Sequence, residues 1–122
     1  MPLLNFKSQF VQPIREGRKR HTIRAERKIP VKVGDKLYLY SGLRQKGAFR
    51  ILLDAVTCTR VENIVIGYGE ARRFVLTVDG QVLDRSERER LARADGFKDF
   101  DKMMEFWRGR LPFKGNIIHW KP

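Results

Sequence analysis

The sequence predicts an α+β fold, a small β-barrel with flanking helices, on three observations. Short runs rich in Val, Ile, Leu and aromatic residues recur along most of the chain, separated by turns that contain Gly and Asp. One run, residues 49–66, is too long for a flat strand and has to bend or split, as strands of barrels do. Helical spacing is confined to a short stretch near the start and a longer one late in the chain. At 122 residues the chain is predicted to form a single domain, residues 1–122, able to bury a core without disulfides or a structural metal.

Leu3 to Phe6 reads as the first strand. Ser8 is placed to cap a helix that carries Phe10, Val11 and Ile14 on one stripe, and Gly17 supplies the left-handed residue that ends it. The next segment, Gly17-Arg18-Lys19-Arg20-His21-Thr22-Ile23-Arg24, is predicted to be extended, because β-branched Thr22 and Ile23 favour that backbone. Regular alternation sets Arg20, Thr22 and Arg24 on one face and Lys19, His21 and Ile23 on the other. Lys19 then meets Thr22 only if it lies in the helix-to-strand turn.

Residues 32–35 turn the chain into a strand of alternating Leu and Tyr, residues 36–40, which Ser41-Gly42 ends. The run 49–66 is predicted to bend or split near residues 60–63. Asp79-Gly80 joins residues 73–78 to 81–83 as a type I′ hairpin, since both turn residues need positive φ. Ser86 and Glu89 have the spacing of a capping box for a helix that Gly96 ends. A further helix from Asp99 to Gly109 presents Phe100, Met103, Met104 and Trp107 to the core, and residues 115–120 form the last strand.

The formal net charge is +12, from 26 Lys and Arg against 14 Asp and Glu, so a polyanionic partner is predicted. Residues 15–32 hold eight basic and two acidic side chains, half of that excess. Cys58 is the only cysteine, and its strand-like neighbours predict a buried structural thiol. One cysteine, two histidines and no clustered carboxylates predict no metal, and the absence of a phosphate-cradling or dinucleotide-binding glycine motif predicts no cofactor. With no apolar leader and no run of about 18 apolar residues, no membrane association and a cytoplasmic location are predicted. His21, beside the basic cluster, is open to contacting phosphate or acting as an acid, although a lone strand histidine is more often packed or exposed without a role, and His119 reads as structural.

The chemistry then rests on a Lys/Thr/Arg group and a carboxylate from elsewhere. A threonine hydroxyl attacks a carbonyl only when a base takes its proton, and a lysine is that base only when burial or neighbouring cations lower its pKa. Lys19, Thr22 and Asp95 are therefore the candidate catalytic residues. Asp95 stands at a helix end, where the dipole favours its protonated form, although it is equally placed to pair in solvent with Arg93 or Lys98. Arg18, Lys19, Arg20 and Arg24 are the candidate phosphate contacts for RNA or a nucleotide, with Tyr38, Tyr40 or Trp120 stacking on a base.

These segments together carry a resemblance. Gly17-Arg18-Lys19-x-x-Thr22-Ile23-Arg24, the Val33-Gly34-Asp35 turn, the helix end Ala92-Arg93-Ala94-Asp95-Gly96-Phe97 and the closing Ile117-Ile118-x-Trp120 strand resemble the ASCH domains, over nearly the whole chain. The resemblance implies a PUA-like β-barrel and a cleft for RNA or nucleotides beside Lys19. One branch of that family removes the acetyl group from the exocyclic amine of acetylcytidine, with a lysine as proton acceptor, a threonine as nucleophile and a glutamate as proton donor. It implies those roles for Lys19, Thr22 and Asp95, the last one methylene shorter than the family's glutamate. RNA or nucleotide binding is the leading expectation, hydrolysis of an acylated nucleoside the alternative, and ribonuclease action, through Lys19 and Arg24, a third.

Overall fold

A computed structural model describes residues 2–43 and 46–121. It has the expected α+β class. Strands β1 (Leu3–Phe6), β2 (His21–Ala25), β3 (Lys36–Ser41), β4 (Phe49–Arg50), β5 (Val56–Tyr68), β6 (Phe74–Val78), β7 (Gln81–Val82) and β8 (Phe113–Lys121) form one mixed sheet. Helix α1 (Val11–Arg15) follows β1, while α2 (Arg85–Ala94) and α3 (Phe100–Trp107) lie between β7 and β8.

The long strand β5 organises the sheet. One of its edges runs antiparallel to β8 from Thr57 to Ile66. Its other edge pairs first with β3, at Val56 and Thr57, and then with β6 from Ile64 onward. β1 adds in parallel to β3, and β2 adds antiparallel to β8. Among the described residues no ladder joins β1 to β2, so the sheet is open and a closed barrel is not seen.

Alternation on β3 buries Leu37 and Leu39, and β8 turns Ile118 to one apolar cluster and Ile117 to another. The first cluster joins Leu4, Phe6, Phe10, Leu37, Leu39 and Trp120; the second joins Ile64, Ile66, Leu76 and the inward stripe of α3, Met103, Met104 and Trp107. Phe97 and Phe106 pack against both and form the seam between them. Cys58 is buried, as expected of a structural thiol, and burial pushes its pKa up.

Local details differ from the sequence reading in three places. The run 49–66 splits at residues 51–55 rather than near 60–63, where only a register shift between Cys58 and Arg60 interrupts the ladder to β8. At the split, the Ile51 carbonyl accepts from Arg15 Nε at 3.0 Å, and Arg50 Nη1 donates to the Leu53 carbonyl, so side chains satisfy backbone that the sheet does not. Ser8 opens a 3-10 turn (Ser8–Phe10) and makes no side-chain cap. The capping box of α2 is Asp84 with Glu87, at 2.8 and 3.1 Å, two residues before the expected Ser86 and Glu89. Both pairs have the right spacing, and the chain leaves β7 early enough for the first to be used. Glu89 instead accepts from the Phe100 amide at the start of α3. The type I′ hairpin is present, with Asp79 at φ 48° and Gly80 at φ 82°.

Candidate functional site

A cavity of about 390 Å³ opens at the seam, between β1, the α1–β2 turn, β2, the end of α2 and α3. Its apolar wall is aromatic: Phe6 and Phe10 from the first half, Phe106, Trp107 and Phe113 from the second. Its polar groups are Lys19, Thr22, Arg24 and Asp95, with Asn5, Lys7 and Arg110 beside them. The three candidate catalytic residues, Lys19, Thr22 and Asp95, thus meet here, together with Arg24 from the candidate phosphate contacts.

Lys19 does so because β2 begins only at His21, which leaves Lys19 in the helix-to-strand turn where alternation does not bind it. Its amide and that of Arg18 both donate to the Pro13 carbonyl, closing the turn that positive-φ Gly17 allows. The Lys19 side chain is 2 % exposed and Asp95 is 5 % exposed. Lys19 Nζ donates to both Asp95 Oδ1 and the Asp95 carbonyl, each at 2.6 Å, so the exposed helix-end pairing of Asp95 is not what forms. Asp95 is the C-cap of α2, and Gly96 follows at φ 100°. A Cβ on Gly96 would lie 3.4 Å from Lys19 Cδ and 3.1 Å from Phe10 Cδ1, so glycine both makes the turn and leaves room for the lysine stem.

Burial lowers the Lys19 pKa, the Asp95 charge and hydrogen bond act to raise it, and Arg24 adds to the lowering. The ammonium lies 4.7 Å from the centre of the Phe10 ring. On β2, Thr22 and Arg24 share a face as alternation requires, and Arg24 Nε donates to Thr22 Oγ1 at 3.1 Å. The hydroxyl thereby accepts from a cation and keeps its own proton free to give away. Burial also brings Arg24 down to about 10, and its guanidinium lies 4.6 Å from the Phe6 ring centre while donating to the Asn5 carbonyl.

Other candidates lie elsewhere. Arg18 is exposed and paired with Glu16 at 2.6 Å, and Arg20 is exposed and donates to the Gly17 carbonyl. Tyr40 sits on β3 away from the cavity, where its hydroxyl accepts from Arg50 Nε at 3.2 Å. Neither these residues nor Tyr38 and Trp120 line the cavity.

The sequence reading missed several partners. His21 is buried, and its Nε2 lies 3.2 Å from Asp95 Oδ1 without hydrogen-bond alignment. Its ring is 5.2 Å from that of His119, its cross-strand neighbour, and His119 Nε2 is 2.6 Å from Glu62 Oε1. Burial lowers the His119 pKa, with Glu62 opposing. The aromatic wall was missed because helical spacing marks Trp107 as core, which it also is. The Trp107 indole Nε1–H is buried without a hydrogen-bond partner among the described residues. No cluster of three or more His, Cys, Asp or Glu side chains suited to a metal ion occurs among the described residues. No helix among them is long and apolar enough to cross a membrane. Compared with protein-family models, curated proteins and solved structures, the chain finds no match.

Proposed function

We propose that the chain is an ASCH-type, PUA-like protein whose cavity hydrolyses the acyl amide on the exocyclic amine of a cytosine nucleoside. The observation that carries this reading is the buried Lys19–Asp95 pair lining the same small cavity as Thr22. The volume lies in the range of small-ligand pockets, and its aromatic wall suits a flat heterocycle. The PUA-like reading is supported by the ladder order β1-β3-β5-β8-β2, whose two end strands are bridged by Arg24 donating to Asn5.

In this reading the pair shares one proton. Lys19, pushed toward its neutral form by burial, takes the proton of Thr22 as Oγ1 adds to the acyl carbonyl. Asp95 gives a proton to the leaving ring amine as the carbon–nitrogen bond breaks, which leaves an acyl ester on Thr22. Water then cleaves that ester and restores the hydroxyl. The proton gained by Lys19 returns to Asp95 across their 2.6 Å contact, and the pair is reset. The shorter carboxylate reaches the lysine because the backbone at the α2 end comes close enough for the Asp95 carbonyl to accept from Nζ as well. Incubation with acetylcytidine, followed by chromatography for cytidine and acetate, tests the reading.

A second reading, binding of RNA or a nucleotide without hydrolysis, is favoured by the net charge of +12 and by exposed Arg18 and Arg20 beside the cavity-forming turn. Retention of single-stranded RNA by a protein inert toward acetylcytidine is the outcome that selects it.

A further inference from the structure

Lys7 and Arg110 are exposed residues of the cavity lining and so stand at its rim. Lys7 follows β1 and Arg110 lies beyond the end of α3, so two segments remote in sequence each deliver a positive charge to the same place. Both rest on Phe106, with Lys7 Nζ 4.8 Å and Arg110 Cζ 4.3 Å from the ring centre. Among the described residues neither side chain has an acidic partner, in contrast to Lys19 inside the cavity. Asp95, the one carboxylate of the lining, is already held by Lys19. Like charges gathered on one ring repel each other, and an anion bound at the rim relieves that repulsion.

The geometry points to a phosphate subsite formed by Lys7 and Arg110, so that a phosphorylated nucleoside is bound in preference to a free one. The inference rests on the reading above in one respect, that the base enters the aromatic part of the cavity. With the base inside, the sugar is at the rim, and a phosphate on it meets the two cations. A phosphate accepts charge-assisted hydrogen bonds from both an ammonium and a guanidinium, which a neutral sugar hydroxyl does more weakly.

Titration calorimetry with cytidine 5′-monophosphate and with cytidine separates the possibilities, using the wild type, Lys7→Gln, Arg110→Gln and, as an exposed control outside the cavity, Lys28→Gln. The wild type is expected to bind the monophosphate about tenfold more tightly than cytidine at low salt, and salt should erode that preference. Each rim substitution should remove about threefold of the preference and leave cytidine affinity unchanged, while Lys28→Gln should change neither. Equal affinity for both ligands, or an equal loss for both in the rim variants, overturns the subsite. Binding of neither ligand overturns it together with the placement of the base. Selective binding of the monophosphate by a protein that leaves its acetylated form intact supports the subsite and removes the hydrolytic reading alone.

Discussion

A lysine ammonium withdrawn from water needs a partner, and Asp95 meets Lys19 with both its carboxylate and its backbone carbonyl. Lys19→Met leaves the Asp95 charge buried with one donor fewer and should cost about 3–5 kcal/mol by urea denaturation. Lys19→Met combined with Asp95→Asn should recover most of that loss, since neither charge then remains. Loss of activity in Lys19→Met alone is therefore read beside its melting curve, whereas Thr22→Ala removes one hydroxyl and should keep the fold. The pH dependence has a definite sign. Burial holds Lys19 below its ordinary 10.5, so between the lowered value and 10.5 the unfolded chain binds a proton that the folded one does not. Stability of the wild type relative to the double variant should thus rise as pH climbs toward 10.5, with the penalty fully present below the lowered value. Arg24, which burial brings down to about 10, gives the stability of both proteins the same sign of dependence at still higher pH and so leaves their difference unchanged there. A flat difference across this window would mean that Lys19 is as readily charged in the fold as in water.

The strand pair β2–β8 holds Thr22 and Arg24 in place, and Gly115 on β8 lies against the Arg24 backbone with no space for a side chain. A Cβ there would lie 2.1 Å from the Arg24 carbonyl oxygen, backbone that has no room to move, so Gly115→Ala should destabilise by about 3 kcal/mol or more in thermal or urea melts. At α2, Asp84→Ala should cost about 1 kcal/mol and Ser86→Ala only a few tenths, because Asp84 is the residue that caps. Equal costs would return the helix start to Ser86. This register shows what the sequence could and could not carry. Hydrophobic alternation located β3, and paired positive-φ residues located the Asp79-Gly80 hairpin, since each signal is local and has one cheap solution. Two acid-capping pairs in overlapping registers have two local solutions, and the packing of Glu89 against the start of α3 chooses between them. The break at residues 51–55 was hidden for a similar reason: its apolar residues read as strand, while distant Arg15 satisfies the backbone there.

Across the molecule, the positive charge and the cavity are partly separate features. Lys19, Thr22 and Asp95 were legible as a set because their residue types fit one chemistry and lie in the ASCH-like segments, whereas the turn position of Lys19, which the sequence left open, is fixed by the start of β2 at His21. Lys7 after β1, and Trp107 and Arg110 at the end of α3, reach the cavity only through the fold, whereas His21 lies in the same segment as Lys19 and Thr22. Exposed Arg18 and Arg20 lie outside the cavity, so turnover of a neutral acetylated nucleoside should change little between about 50 and 200 mM salt, whereas RNA retention should fall steeply as counterions compete. The most direct test of the account is the reaction of purified protein with acetylcytidine, resolved by chromatography and run beside Thr22→Ala. Cytidine and acetate in equal amounts are expected from the wild type and none above background from a folded Thr22→Ala, because without the hydroxyl no ester forms. Acetylcytidine left intact by the folded wild type, or turned over equally well by Thr22→Ala, would contradict it.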